Sequence, residues 1–303
     1  MHTAITIDAL RVLDAISRKG SFAGAAGELF RVPSAISYTV QKLEEDLNVT
    51  LFDRSGHRAV LTPAGLYLLE EGRILLDAAE NLAHSTRQVA QGWETRLRIG
   101  FNSLLPAECL FPAIKDFSAL GVPVDVQIVE EVFAGTWDAL QSRRVDLVVG
   151  ADDISKPAGN FTCQNLGVMD FIFVVSPGHP LANAEEPLSE EDILRFPAAV
   201  AADSSRSLPV GHAGIFHRQR TLTGTNMDHK IALQKAGLAV GWLPRSRVNT
   251  LVANGELIEK QVREARQSVS LQAARHAEDK GKALMWFWDR LIDDPAIADW
   301  LTT

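Results

Sequence analysis

The spacing of apolar residues changes character once along this chain, and that change restricts its fold more than any single motif. Up to about residue 91 the spacing is helical: Leu10, Leu13 and Ile16, then Phe22, Ala25, Ala26 and Leu29, then Ile36, Val40, Leu43 and Leu47. From Arg96 onward, strand-like runs such as RLRIGF (96–101), VDVQIVEE (124–131), VDLVVG (145–150), FIFVVS (171–176) and LAVGWLP (238–244) alternate with helical segments. Alternation of this kind predicts parallel sheet with crossover helices. The expected fold is therefore α/β with an all-α, winged N-terminal domain. The α/β part reads as two linked lobes with a cleft between them, and 303 residues suit about two domains at ~150 each.

Gly20 and Ser21 form a stop and an N-cap between the first two helices, and Pro33 suits the first position of a third. With Ile36, Val40, Leu43 and Leu47 inward, Ser34, Tyr38, Gln41 and Glu45 fall on the opposite face, flanked by Ser37 and Lys42. LFDRSGHRAVLT (51–62) reads as two short strands around a Ser55-Gly56 turn, with Arg54, His57 and Arg58 at its tip. Thr62 and Pro63 open a helix expected to run to about Gln91, roughly 40 Å at 1.5 Å per residue. Along it Leu68, Gly72, Leu75, Ala79, Leu82, Thr86 and Val89 follow a heptad, the seam of a helix that pairs with a second copy. Its C-terminal counterpart is a single helix ending near Trp300. The expected boundaries are 1–62, 63–92 and 93–303, with lobe I at about 93–165 and 267–303 and lobe II at about 166–266.

The chain carries 30 Lys+Arg against 38 Asp+Glu, a net charge of −8, yet residues 1–62 hold seven of each sign. The acidic excess lies wholly in the remainder, which suits a first segment that meets a polyanion. Two cysteines, Cys109 and Cys163, form neither a disulfide framework nor a CxxC zinc motif. The N-terminus lacks a signal-like basic and apolar sequence, and no uncharged apolar run reaches the ~20 residues of a membrane helix. A cytoplasmic protein, not associated with membrane, is expected.

GSFAGAAGELF (20–30), VPSAISYTVQKLEEDLNVTLFDR (32–54) and LTPAG (61–65) resemble the DNA-binding segment of LysR-type transcriptional regulators, and HPLA (179–182), AGLAVGWLP (236–244) and NGEL (254–257) resemble their effector domain. The resemblance spans essentially the whole chain. It implies a winged helix-turn-helix that reads a double-stranded operator, a homo-oligomer (commonly a dimer of dimers) and a small-molecule effector between the lobes, with no cofactor. On the DNA side it turns Arg31, Pro33, Ser34, Ser37, Tyr38, Gln41, Lys42, Arg54, His57 and Arg58 into contact candidates; without it, the same helix face would suit an ordinary solvated surface. In the cleft it singles out Asn102, Ser103, Asp203, Ser204, Thr225, Asn226 and Met227; Glu130 lies at a strand end near that cleft, and Phe101 and Trp242, close by in the sequence, would supply apolar walls. Several of these would serve equally well as plain N-caps. Pro209, Gly211 and Gly214 interrupt any helical period after Asp203, where many family members place a helix. With no arginine among these cleft residues, a hydroxylated aromatic is the expected effector in preference to a strongly anionic one.

Other classes have less behind them. GxSxG, P-loop and HExxH motifs are absent, so an enzyme is not expected. His212 and His217 are the nearest approach to a metal pair, and no metal site is expected. A redox-sensing regulator would use Cys109 or Cys163, and a two-lobed solute-binding protein would need an export signal. Trp286, Phe287 and Trp288 read as core or interface.

Overall fold

The computed structural model describes residues 5–53, 59–209 and 214–302, and the chain divides into two compact units, Met1–Gln91 and Gly92–Thr303. The first unit contains α1 (Ile7–Lys19), α2 (Phe22–Glu28), α3 (Pro33–Leu47), a two-stranded wing of β1 (Phe52–Asp53) and β2 (Val60–Leu61), and the 28-residue α4 (Pro63–Ala90). Local chemistry sets the helix ends. Thr6 Oγ1 accepts from Ala9 N at 3.1 Å, Ser21 Oγ from Gly24 N at 3.0 Å and Thr62 Oγ1 from Gly65 N at 3.1 Å. Gly20, at φ 69°, closes α1 in the left-handed conformation.

Leu13 and Ile16 of α1, Ala25 and Ala26 of α2, and Ile36, Val40 and Leu43 of α3 share one buried core with Leu69 of α4. Each fully buried aliphatic side chain there contributes about 2 kcal/mol. Two glycines let α4 approach this core. A Cβ on Gly65 would lie 2.1 Å from the Leu51 carbonyl oxygen, and one on Gly72 would lie 2.7 Å from Leu10. The heptad seam therefore divides: Leu68 and Gly72 pack within the unit, whereas Leu75, Leu82 and Val89 are exposed.

The second unit runs β3 (Arg96–Asn102), α5 (Phe111–Ser118), β4 (Asp125–Glu131), α6 (Gly135–Gln141), β5 (Leu147–Asp152), β6 (Phe161–Met169), β7 (Phe171–Val175), α7 (Glu190–Leu194), β8 (Ala198–Ala201), β9 (Thr221–Gly224), α8 (Met227–Lys235), β10 (Gly241–Pro244), α9 (Arg245–Ala253), β11 (Ile258–Lys260), β12 (Val269–His276), α10 (Lys282–Leu291) and α11 (Pro295–Thr302). Lobe I is the sheet β4-β3-β5-β12-β6, in which β3 runs parallel to β4 and β5, and β12 antiparallel to its neighbours. Lobe II combines the antiparallel sheet β10-β7-β11 with the parallel pair β8-β9, joined by a bridge between Ala198 and Val240.

Two features depart from the sequence reading. β6 pairs with β12 as far as Met169 opposite Val269, so the first crossing into lobe II falls at Asp170 instead of near 165. Thr162, Gln164, Asn165 and Gly167 (φ 144°) break any apolar alternation in this edge strand, which is defined by its ladder. Second, the C-terminal segment is two helices. Pro295 starts the second, and Asp294 at the break accepts from Ala296 N at 2.9 Å and pairs with Arg290 at 2.6 Å. Residues 202–209 after β8 form neither helix nor strand, in line with the interrupted helical period there.

Candidate functional site

Helix α3 turns Ile36, Val40 and Leu43 into the core and leaves Ser34, Tyr38, Gln41 and Lys42 exposed, with Ser37 half-buried. Gln41 Nε2 donates to Glu45 Oε1 at 2.8 Å, so its amide is already aligned along the outer face. Arg31 forms a two-pronged ion pair with Asp8 at 2.9 and 2.6 Å, which holds the Asp8 carboxyl below its ordinary range. A phosphate contact from Arg31 would exchange that carboxylate for a phosphate. Arg54, His57 and Arg58 lie outside the described residues. Sequence reasoning passed over Phe30, which is 97% exposed at φ 53° immediately before this face. A large aromatic between two helices was the available signal.

In the second unit, strand alternation separates neighbours that sequence order had placed together. Asn102 Nδ2 donates to Thr136 Oγ1 at 3.0 Å and its Oδ1 accepts from Leu104 N at 3.0 Å, so both ends of its amide help to shape the end of β3. Ser103 is buried; its N–H donates to the Glu131 carbonyl at 2.9 Å and its carbonyl accepts from Arg247 Nη1 at 3.1 Å. Phe101 instead lines a cavity of about 470 Å³ with Leu105, Glu108, Glu130, Asp228 and Arg247. Across the lobes, Asn226 Nδ2 donates to Glu130 Oε2 at 2.9 Å, while Asn226 Oδ1 caps α8 through His229 N at 3.1 Å. Thr225 Oγ1 lies 2.9 Å from His229 Nδ1. Met227 belongs to the lobe II core with Ile172, Val174 and Leu243, and Trp242 packs edge-on against Phe173 at 5.5 Å.

Asp203 and Ser204 follow a lobe II strand but bond to lobe I. Asp203 Oδ1 accepts from Gly135 N at 3.1 Å, and Ser204 Oγ accepts from Val132 N at 2.8 Å while donating to Glu131. Glu131 is buried and ion-paired to Arg144, which also bonds to Asp138 at 2.9 Å; Glu130 is exposed. Asp138 in turn accepts from Arg206 N at 3.2 Å and from Ser207 N at 3.0 Å and Ser207 Oγ. Burial raises the Asp138 pKa, but the hydrogen bonds from Ser207, Arg144 and Arg206 outweigh it and bring the carboxyl to about 2. These partners make residues 203–207 a strap from lobe II to lobe I.

Cys109 is buried in the main core, and burial, with Asp294 and Glu108 adding to it, pushes its thiol up to about 12. It is a protonated packing group at neutral pH. Cys163 is half-buried on β6. Among the described residues no group of three or more His, Cys, Asp or Glu is placed to hold a metal; His212 lies outside them. Phe287 is buried 4.8 Å from the Phe117 ring, with Trp286 and Trp288 beside it in the same core. No helix among the described residues is long and apolar enough to cross a membrane.

Residues 7–66 match the model of the bacterial regulatory helix-turn-helix protein, lysR family, and residues 90–296 match that of the LysR substrate binding domain. This chain belongs to the LysR family of transcriptional regulators. The LysR-type relatives include the probable HTH-type transcriptional regulator YhaJ of Escherichia coli strain K12, 39% identical over 93% of this chain and 94% of that protein. The HTH-type transcriptional regulator PunR of the same strain is 32% identical over 96% and 94%. Among solved structures, OxyR from Corynebacterium glutamicum matches with a TM-score of 0.63 at 19% identity, covering 97% of this chain and 95% of that one. The full-length LysR-type regulator LysG of that organism, with bound effector Arg, matches at 0.50 and 21%, covering 97% and 98%. At these identities the two structures establish the shared fold.

Within this LysR-type effector domain, two cations escaped the sequence reading. Lys230 sits on the buried stripe of α8 between Met227 and Gln234, where a polar residue at an apolar position was the signal. Arg266 lies in the second crossing and stacks 3.5 Å over the Phe171 ring. The arginine that does line the cavity beside Phe101 and Glu130 is Arg247.

Proposed function

We propose that a small molecule entering the cleft between lobes I and II controls how this LysR-type regulator binds its double-stranded operator. The supporting observation is that the cleft is spanned by exposed or partly exposed polar bonds, Asn226 to Glu130 and Arg247 to the Ser103 carbonyl, which a ligand can replace or reinforce. A ligand that prefers one lobe spacing shifts the population toward it. In this reading residues 1–62 bind DNA, 63–92 connect and dimerise, and 93–303 sense. Ser34, Ser37, Tyr38 and Gln41 meet base edges, and Arg31, Lys42, Arg54, His57 and Arg58 meet phosphates. Exposed Leu75 and Leu82 of α4 form the pairing seam of a cytoplasmic dimer of dimers. The effector is a small, partly polar molecule with a ring, for which Phe101 and Trp242 are candidate walls.

The test is fluorescence anisotropy of an operator duplex, obtained by genome-wide mapping of bound DNA, titrated with aromatic acids and phenols. An effector should change wild-type operator affinity several-fold and lose most of that effect with Asn226→Ala or Glu130→Gln. An effect equally large in both variants would place the ligand elsewhere.

A further inference from the structure

Strands β8 and β10 part company within lobe II. The bridge at Ala198 and Val240 is followed by one hydrogen bond, Ala199 N to Val240 O at 2.9 Å, and beyond it none joins them among the described residues. β8 continues with β9, ending in Ala202 N to Gly224 O at 2.8 Å, while β10 continues with β7 from Gly241 opposite Val174. Gly241, at φ 148°, stands where the strands diverge.

Helix α8 lies over this split. Because β8 runs parallel to β9 and to the start of β10, the helix connecting β9 to β10 runs antiparallel to them, and its N-terminal end lies toward the strands' C-terminal ends. Gln234 marks the closed end of the split: a Cβ on Gly241 would lie 3.6 Å from its Nε2 and 3.8 Å from the Ala199 carbonyl oxygen. Lys230 is one turn, about 6 Å, closer to the open end on the same helix face. Its side chain is 4% exposed and has no hydrogen bond or ion pair among the described residues.

Arg266 approaches the split from the other face of the sheet, the face that carries Phe171 and Trp242. A Cβ on Gly214 would lie 3.2 Å from both Arg266 Nη1 and Trp242 Cδ1, which puts the guanidinium beside the indole as well as over Phe171. Arg266 also lacks an ion pair or hydrogen bond among the described residues, and it acts on Lys230 by repulsion. Burial, with that repulsion added, lowers the Lys230 ammonium to about 7, and burial lowers Arg266 to about 10. Most buried cations are paired with a carboxylate; among the described residues neither of these two has one. A cavity of about 610 Å³ lined by Val200, Asp203, Ile215, Phe216 and Thr223 lies next to this site and is not itself lined by Lys230 or Arg266.

We propose that the split between β8 and β10 is an anion subsite of the effector domain, in which Lys230 and Arg266 together hold an oxyanion group, carboxylate or phosphate, of a small molecule whose apolar part lies against Trp242 and Phe171. The proposal rests on the effector reading above and names the chemical class of that ligand. Two cations on different elements, α8 and the second lobe crossing, would be tied together by one bound anion.

The test is thermal unfolding of the full chain at pH 6.5 and constant ionic strength in sodium chloride, sodium benzoate or sodium phosphate, with benzamide as the uncharged control. Benzoate or phosphate should raise the wild-type Tm several degrees above chloride and benzamide. A response to benzoate alone assigns a carboxylate, and a response to phosphate alone assigns a phosphate. Lys230→Met should melt higher than wild type in chloride and lose most of the anion response, and Arg266→Gln should weaken the anion's apparent affinity at least tenfold. A wild type that responds alike to all four solutes, or variants that respond like wild type, would overturn the subsite. Operator anisotropy in the same solutions separates the two readings. Anion stabilisation through Lys230 without any change in operator affinity leaves the subsite standing and rejects effector control; an operator response that persists in both variants does the reverse.

Discussion

Asp138 serves two lobes at once, bonded to Arg144 on its own side and to Arg206 and Ser207 of the strap on the other. Its folded value of about 2 lies below the ~3.9 of an exposed aspartate, so the stability it contributes is complete above about pH 4 and is lost as pH falls through 2. Asp138→Asn should cost about 2 kcal/mol at pH 7, and calorimetric melts across pH 2–7 should show the gap from wild type closing toward the acid end. A gap independent of pH would mean that the carboxylate's charge contributes nothing. Gln41 illustrates a different residue-scale effect. Its bond to Glu45 is exposed and readily exchanged, so Gln41→Ala should leave stability nearly unchanged while weakening specific operator binding by about 1–3 kcal/mol. Equal losses on operator and random duplexes would remove Gln41 from base reading.

At the scale of elements, α4 has two differently packed parts that the heptad pattern had merged into one. Its first turns are held to the helical core through Leu68, Leu69 and Gly72, and its later turns expose Leu75 at 50% and Leu82 at 69%. A substitution in the second part should therefore affect assembly without unfolding the unit. Leu75→Glu is expected to keep the helical circular dichroism signal and Tm of the DNA-binding unit while shifting sedimentation velocity toward smaller species at micromolar protein. An unchanged profile would show that α4 does not join the subunits. The first part should respond in the opposite way. Gly65→Ala would drive a methyl group against the Leu51 carbonyl, and a loss of about 1–3 kcal/mol is expected from the strain, read as a lower denaturant midpoint.

Across the effector domain, the lobes are linked by two chain crossings, the strap at residues 203–207, and the side chains Asn226 and Arg247. Arg247 reaches the Ser103 carbonyl and is ion-paired to Asp228, so Arg247→Ala removes a charged bond worth about 1.5–3 kcal/mol between lobes. Hydrogen exchange should speed up in α8 and α9 and stay unchanged in α1, α2 and α3. Uniform exchange with wild type would show that this bond does not tie the lobes.

Much of this molecule is governed by interactions a few residues long, and those were legible in the chain. The caps at Ser21 and Thr62, the proline start of α3, the two-faced period that exposes Gln41, and the shift to strand-helix alternation at Arg96 all depend on neighbours within about two helical turns. The cleft is a different matter. Asn102 and Phe101 are adjacent in sequence yet serve different surroundings, because successive side chains in a strand point to opposite faces. Asp203 and Ser204 bond to the far lobe because no helix forms after β8. Lys230, Arg266, Phe171 and Gly214 come from four separate segments, brought near one another by the crossing at Asp170, the course of α8 and the divergence of β8 from β10. The sequence by itself determined most of the elements and the outward face of α3; only the tertiary structure decided which polar groups are already satisfied and which two buried cations have no carboxylate among the described residues, since that depends on distances between residues that local rules do not connect.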